Sequence, residues 1–327
     1  MGWSWLTVGI VALALWAFPA GAAGSGNTGQ GSGWDNLESM SLSEVGETLS
    51  DWRRLLLVVG ACVVLVLLWG GDAIRPGSLQ RAGLRNVKPL PTPVWFMAAL
   101  IVLLAPMLVF EPLRGVGWIT GGSSGSLRAI AAPQGLAYLA GVIAAGGLLV
   151  MAHRAAPQAG LKLDWIDGPV GLGLLLLAAP LVLLAGDLAF LVHASLSSES
   201  PSTIAHPLLE RLVEGRGDPW AWVLIASVVV LAPAFEEVVY RGFVQSGLLR
   251  LTNHAWASLI ATGVIFGTVH AIGPAESASP WYAAVQVGVL GICCGAAFER
   301  TKRLGVPIAM HAAFNAANVA VAMWTAG

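Results

Sequence analysis

The stretch Glu236-Glu237-Val238-Val239-Tyr240-Arg241 decides how this chain is read. It follows directly on an apolar run, Trp220 to Phe235, that suits lipid. Ionisable groups at membrane depth are costly unless they are paired or line a water-filled cavity. Only 11% of the residues are charged, so two carboxylates and an arginine gathered here need a reason.

The rest of the chain supplies a membrane setting. Of its 327 residues 56% are hydrophobic, and the mean hydropathy is +0.75. A soluble domain is about 45–50% apolar and about 25% charged. Excess apolar residues and scarce charge exclude a soluble globular fold. The formal net charge is −1 and no long basic run occurs, which excludes nucleic acid as a partner. The three cysteines, Cys62, Cys293 and Cys294, lie in apolar runs. They form neither a disulfide framework nor a C-x-x-C site.

Working outward, the apolar runs number eight, at roughly 20 residues each, the length that crosses the hydrocarbon core. They fall at 54–71, 93–111, 131–151, 169–192, 220–249, 255–272, 281–299 and 306–324. The expected fold is all-α, a polytopic membrane helical bundle. Ahead of it, residues 1–23 read as a secretory signal peptide, with a short apolar core and small residues after Pro19. An uncleaved first membrane helix is the alternative, since no Lys or Arg precedes the apolar part. Residues 24–53 read as a Gly/Ser linker followed by a polar exposed segment, with a surface helix expected over Asn36–Trp52. Residues 54–218 then form the N-terminal transmembrane helices and 219–324 a C-terminal core. Gly121-Gly122-Ser123-Ser124-Gly125 reads as a flexible connector.

Lys and Arg counts orient the spans. Arg75, Arg81, Arg85, Lys88, Arg154, Lys162, Arg250, Arg300, Lys302 and Arg303 all fall on one side of an eight-span topology. That side is expected in the cytoplasm, in a bacterial inner membrane. Arg53 and Arg54, just before the first span, run against the trend.

Helical geometry divides the opening stretch. Glu237 and Arg241 are four residues apart and share a face. Glu236 points about 100° away, where the same arginine does not easily reach it. A carboxylate left free in this way is a candidate general base. The next span ends in Phe266-Gly267-Thr268-Val269-His270, and the last contains His311-Ala312-Ala313-Phe314-Asn315. The fifth and sixth spans form a hairpin, which sets Glu236 and His270 at nearly one level, roughly 25 Å from the turn. The same arithmetic leaves His311 roughly 10 Å shallower, unless the first hairpin turn projects past the membrane face. Asp187, late in the fourth span, is expected to cap the outer end or pair locally.

These motifs, Glu-Glu-x-x-x-Arg, then Phe-x-x-x-His, then His-x-x-x-Asn, in that order across late membrane spans, resemble the CAAX-protease and bacteriocin-processing family of intramembrane endopeptidases, the type II CAAX prenyl endopeptidase kind. The run from Glu299 to Lys302 and from Pro307 to His311 resembles that family's last loop and helix. The resemblance covers about residues 220–324. It implies peptide-bond hydrolysis of a membrane-associated peptide or protein substrate. By position, Glu236 would activate water and His270 would hold or polarise it. His311 and Asn315 would stabilise the oxyanion, and Glu237 with Arg241 would fix the site. Glu236, His270 and His311 are also candidate ligands for zinc or another divalent metal. The H-E-x-x-H pattern is absent, and the same residues work equally as a metal-free site. The active site is expected to open toward the cytoplasm. The competing reading is a non-enzymatic membrane scaffold or transporter that retains the polar cluster. No convincing internal repeat supports transport.

Overall fold

The computed structural model describes residues 42–114, 126–196, 207–272 and 280–325. The signal-like segment, the linker up to residue 41 and the Gly121–Gly125 connector lie outside them. Among the described residues there is no strand, and eight helices are long and apolar enough to cross a membrane. They are α1 (Leu42–Gly70), α2 (Thr92–Arg114), α3 (Leu127–Ala155), α4 (Asp167–Leu196), α5 (Trp220–Thr252), α6 (Ala255–Ile272), α7 (Trp281–Thr301) and α8 (Gly305–Thr325). The chain is an all-α polytopic bundle. One expectation shifts: from Leu42 onward the polar segment is not a separate surface helix but runs unbroken into α1.

Burial sorts the helices. In the apolar windows of α1 and α2 only 17% of residues are buried inside the protein, against 44% in α5 and α7. Without an aqueous surface, apolar side chains such as Val66, Leu67 and Leu108 remain exposed on the outer helices and face lipid. The centre belongs to α5, which touches α2, α3, α6, α7 and α8. Phe243, Phe266 and Phe298 are fully buried around it.

Small residues bring α6 and α7 together. A Cβ on Gly267 would stand 2.8 Å from the Ala284 carbonyl, and one on Gly263 would strike Ile292. Such close backbones are how helices associate where lipid removes the hydrophobic drive between them. The fit fixes the height of His270, which follows Gly267 by less than one turn.

α5 is not a uniform helix. It widens into π turns over Ser227–Leu231 and Val238–Val244. The first has a cause in the sequence. Ala232 N–H donates to the Ser227 carbonyl five residues back. In the same register the next donor would be Pro233, which has no N–H. The Val228 carbonyl is thereby left without a partner in its own helix. π turns of this kind recur at functional sites.

The charged residues tie the ends. Asp187 on α4 bonds both Arg53 and Arg54 of α1. The two arginines that defied the charge bias are therefore held by a carboxylate of another helix, and Asp187 pairs across helices rather than capping its own end or pairing locally. At the other end, Arg85 leaves the α1–α2 connection and enters the core. It donates to Glu299 Oε1 at 3.0 and 2.7 Å, to the Ala159 carbonyl and to Ser246 Oγ, both at 2.9 Å. Its guanidinium lies 3.9 Å from the centre of the Phe298 ring.

Candidate active site

Three helices build the site around the opening stretch. Glu237 and Arg241 on α5 are both fully buried, with Arg241 Nε 3.1 Å from Glu237 Oε2. That approach lacks the alignment of a hydrogen bond and is an ion pair by proximity. Arg241 is anchored instead by donating to the Gly291 carbonyl of α7 at 3.0 Å and by the Phe266 ring, 4.7 Å from its guanidinium. The other carboxylate oxygen, Glu237 Oε1, accepts from His311 Nδ1 at 2.9 Å.

That hydrogen bond orients His311. Its Nδ1 is engaged, so its Nε2 is turned to Glu236 Oε2, 3.9 Å away. His270 repeats the arrangement. Its Nδ1 bonds the Phe266 carbonyl one turn back at 2.8 Å, and its Nε2 stands 4.0 Å from the same Glu236 oxygen. A carbonyl or carboxylate on Nδ1 fixes tautomer and ring plane, as second-shell groups do at metal and catalytic histidines. The Phe266 ring wedges the set, edge-to-face against His270 at 4.5 Å and His311 at 5.6 Å.

Glu236 and His270 meet as the hairpin arithmetic expects. His311 is not shallower, because the exception applies and the first hairpin turn projects farther than the second, as Gln245 shows. It lies seven residues before Thr252, yet bonds Glu299 at 2.8 Å, which is only two residues before Thr301. The α5–α6 turn therefore projects about 7 Å farther than the α7–α8 turn. That offset brings His311 level with Glu237.

Asn315 has a different partner. Its Nδ2 donates at 2.8 Å to the Val228 carbonyl, the acceptor that Pro233 leaves free. The structure thus joins Glu236, Glu237, Arg241, His270 and His311 in one cluster and ties Asn315 to the π turn above it. Sequence reasoning missed Gln245, Glu299 and Arg85, which underlie the cluster. Arg85 carried no signal beyond being one arginine among several in a basic loop.

The spacing bears on the metal question. Two hydrogen bonds to one water span about 4–4.6 Å between their outer atoms. Two ligands of a tetrahedral zinc ion stand about 3.3 Å apart. Separations of 3.9 and 4.0 Å lie at the short edge of the water spacing and are wider than the zinc one. No group of three or more His, Cys, Asp or Glu among the described residues is arranged to hold a metal ion. As placed, the Nε2 atoms of His270 and His311 stand farther from Glu236 Oε2 than two ligands of one zinc ion stand from each other.

Eight membrane-length helices around a buried carboxylate–histidine cluster describe an integral multi-pass protein with an intramembrane polar centre. Residues 218–317, about a third of the chain and including every residue of that centre, match the family model described as type II CAAX prenyl endopeptidase Rce1-like. This protease family is the one that the three motifs resemble. Searches of curated proteins and of solved structures gave no match.

Proposed function

We propose that the chain is an intramembrane endopeptidase in which Glu236 activates a water against the peptide bond of a membrane-associated substrate. The observation that supports this best is the convergence of Glu236 Oε2 with the Nε2 atoms of His270 and His311, at water-bridging distances. Three acceptors facing one point need hydrogens between them. A water supplies two, and a proton on one imidazole supplies the third.

The steps then balance. Glu236 takes a proton from the water as its oxygen adds to the carbonyl carbon. The developing oxyanion accepts from the protonated imidazole and from the second amide hydrogen of Asn315. The carbon–nitrogen bond breaks as Glu236 returns the proton to the leaving amine. Glu237 holds the ring of His311 throughout, and Arg241 balances the charge of Glu237. With one imidazolium present, two carboxylates face two cations, which suits a site in lipid. The basic loops lie in the cytoplasm of a bacterial inner membrane in this reading.

The test is cleavage by purified protein. Glu236→Gln keeps the shape of the side chain and removes the base, so cleavage of a membrane-associated peptide is lost while the melting temperature stays. Undiminished cleavage sinks the proposal and favours a scaffold role. Chelation should leave the activity of the parent unchanged, and loss of activity restored by zinc would overturn the metal-free chemistry.

A further inference from the structure

We infer, resting on the site assigned above, that the substrate reaches Glu236 from the face opposite the basic loops, because a buried polar layer closes the site toward the basic face. Helix register gives the depth. α5 and α7 run parallel at a constant offset, with Arg241 bonding the Gly291 carbonyl and Gln245 the Gly295 carbonyl. By that offset Glu236 is level with Gln286. This is about 8 Å from the start of α7 at Trp281 and about 22 Å from its end at Thr301, where the basic turn begins. His270 is two residues from the end of α6 at Ile272, on the same far side.

The layers below Glu236 are closed. Going toward the basic face come Glu237 and Arg241, then Gln245 and Ser246, then Glu299 and Arg85, each at most 3% exposed. They are bonded to one another and to backbone, and Phe243, Phe298, Leu249 and Leu304 are buried in the same core. A peptide coming from the basic loops would have to part the Arg85–Glu299 pair. Above this layer, the side chains of Glu236 and His270 keep 15% and 25% of their exposure. The fitting substrate is an extended segment presented at the aqueous boundary opposite the basic loops. It is not a peptide presented among the basic loops. This route differs from the sequence expectation of an opening toward the basic, cytoplasmic side.

Thiol labelling tests the route without relying on activity. In a background with Cys62→Ala, Cys293→Ala and Cys294→Ala, Lys88→Cys marks the basic face, where Lys88 is exposed. Glu236→Cys and His270→Cys report the site. A charged, membrane-impermeant methanethiosulfonate is applied to either side of sealed vesicles. Both site cysteines should be labelled from the side that leaves Lys88→Cys untouched, with labelling lost from the Lys88 side. Labelling from the Lys88 side, labelling only by a lipid-soluble maleimide, or no labelling of either cysteine overturns the inference. Proteolysis can fail its own test while this labelling pattern holds, and the reverse, so the two readings stand or fall separately.

Discussion

Replacing Arg85 by methionine tests whether the layer beneath the site is held by charge. Arg85 and Glu299 are 0% and 2% exposed at their side chains, and Arg85 Nη2 lies 2.7 Å from Glu299 Oε1. Removing the guanidinium leaves Glu299 buried, with Gln245 Nε2 as its remaining hydrogen-bond donor. Breaking a buried pair by deleting one partner costs about 3–5 kcal/mol, because the other charge stays uncompensated. At about 2.1 cal/mol/K of unfolding entropy per residue, a chain of 327 residues loses roughly 1.5 °C of Tm per kcal/mol. Arg85→Met should therefore lower Tm by roughly 4–7 °C in a fluorescence-monitored melt of detergent-solubilised protein. Replacing both partners with apolar side chains removes the stranded charge, and such exchanges are often neutral or stabilising. Arg85→Met/Glu299→Leu should recover most of the loss. A single variant melting within about 1 °C of the parent, or a double variant no more stable than the single, would refute the reasoning. In either case Glu299 would not depend on Arg85.

Three other perturbations probe separate links. Asn315→Ala removes the donor to the part-buried Val228 carbonyl, and losing such a bond costs about 1 kcal/mol. Pro233→Ala restores a backbone N–H, so in the Asn315→Ala background it should raise Tm more than it does in the parent; equal effects in both would break the link between the two residues. Gly267→Val sets a side chain against the Ala284 carbonyl and should cost about 1–3 kcal/mol, with a larger loss of cleavage because His270 moves away from Glu236. Gly146→Val is the control, since nothing lies within 4 Å of a Cβ there, and similar losses in both would sink the packing argument. In the α1–α2 connection the hydrogen bond from Arg81 holds the Asp72 carboxyl below the usual carboxylate range. Its folded value is depressed, so its stabilisation is present above the ordinary value of about 3.9 and fades as pH falls through the folded value. Melting below pH about 4 should fall more steeply in the parent than in Asp72→Asn, and superimposable acid limbs would contradict this.

How far the site could be read from sequence follows the distance over which each contact is set. Glu237 with Arg241 is a contact within one helix, legible from their four-residue spacing, and Glu236 with His270 is a contact within one hairpin, legible by counting residues from the turn. His311 belongs to the next hairpin. Its height depends on how one hairpin slides against the other, and that is set by Gln245 meeting Glu299, a contact that no periodicity encodes. The spans themselves were legible because each is a long apolar run, and the helix ends differ from them by only a few residues, except at α1, which starts twelve residues early at Leu42. The exception in the charge pattern, Arg53 and Arg54, is explained by Asp187, a residue more than a hundred positions away. Asn315 is the instructive case, because its partner was signalled and went unread. A proline three residues ahead of Glu236, deep in a span, must leave a carbonyl unpaired, and a polar side chain at matching depth on another helix is the natural donor. The same proline widens the helix just before the two glutamates. The feature that disturbs α5 locally is therefore also the one that ties α8, with His311 on it, to the carboxylate it serves.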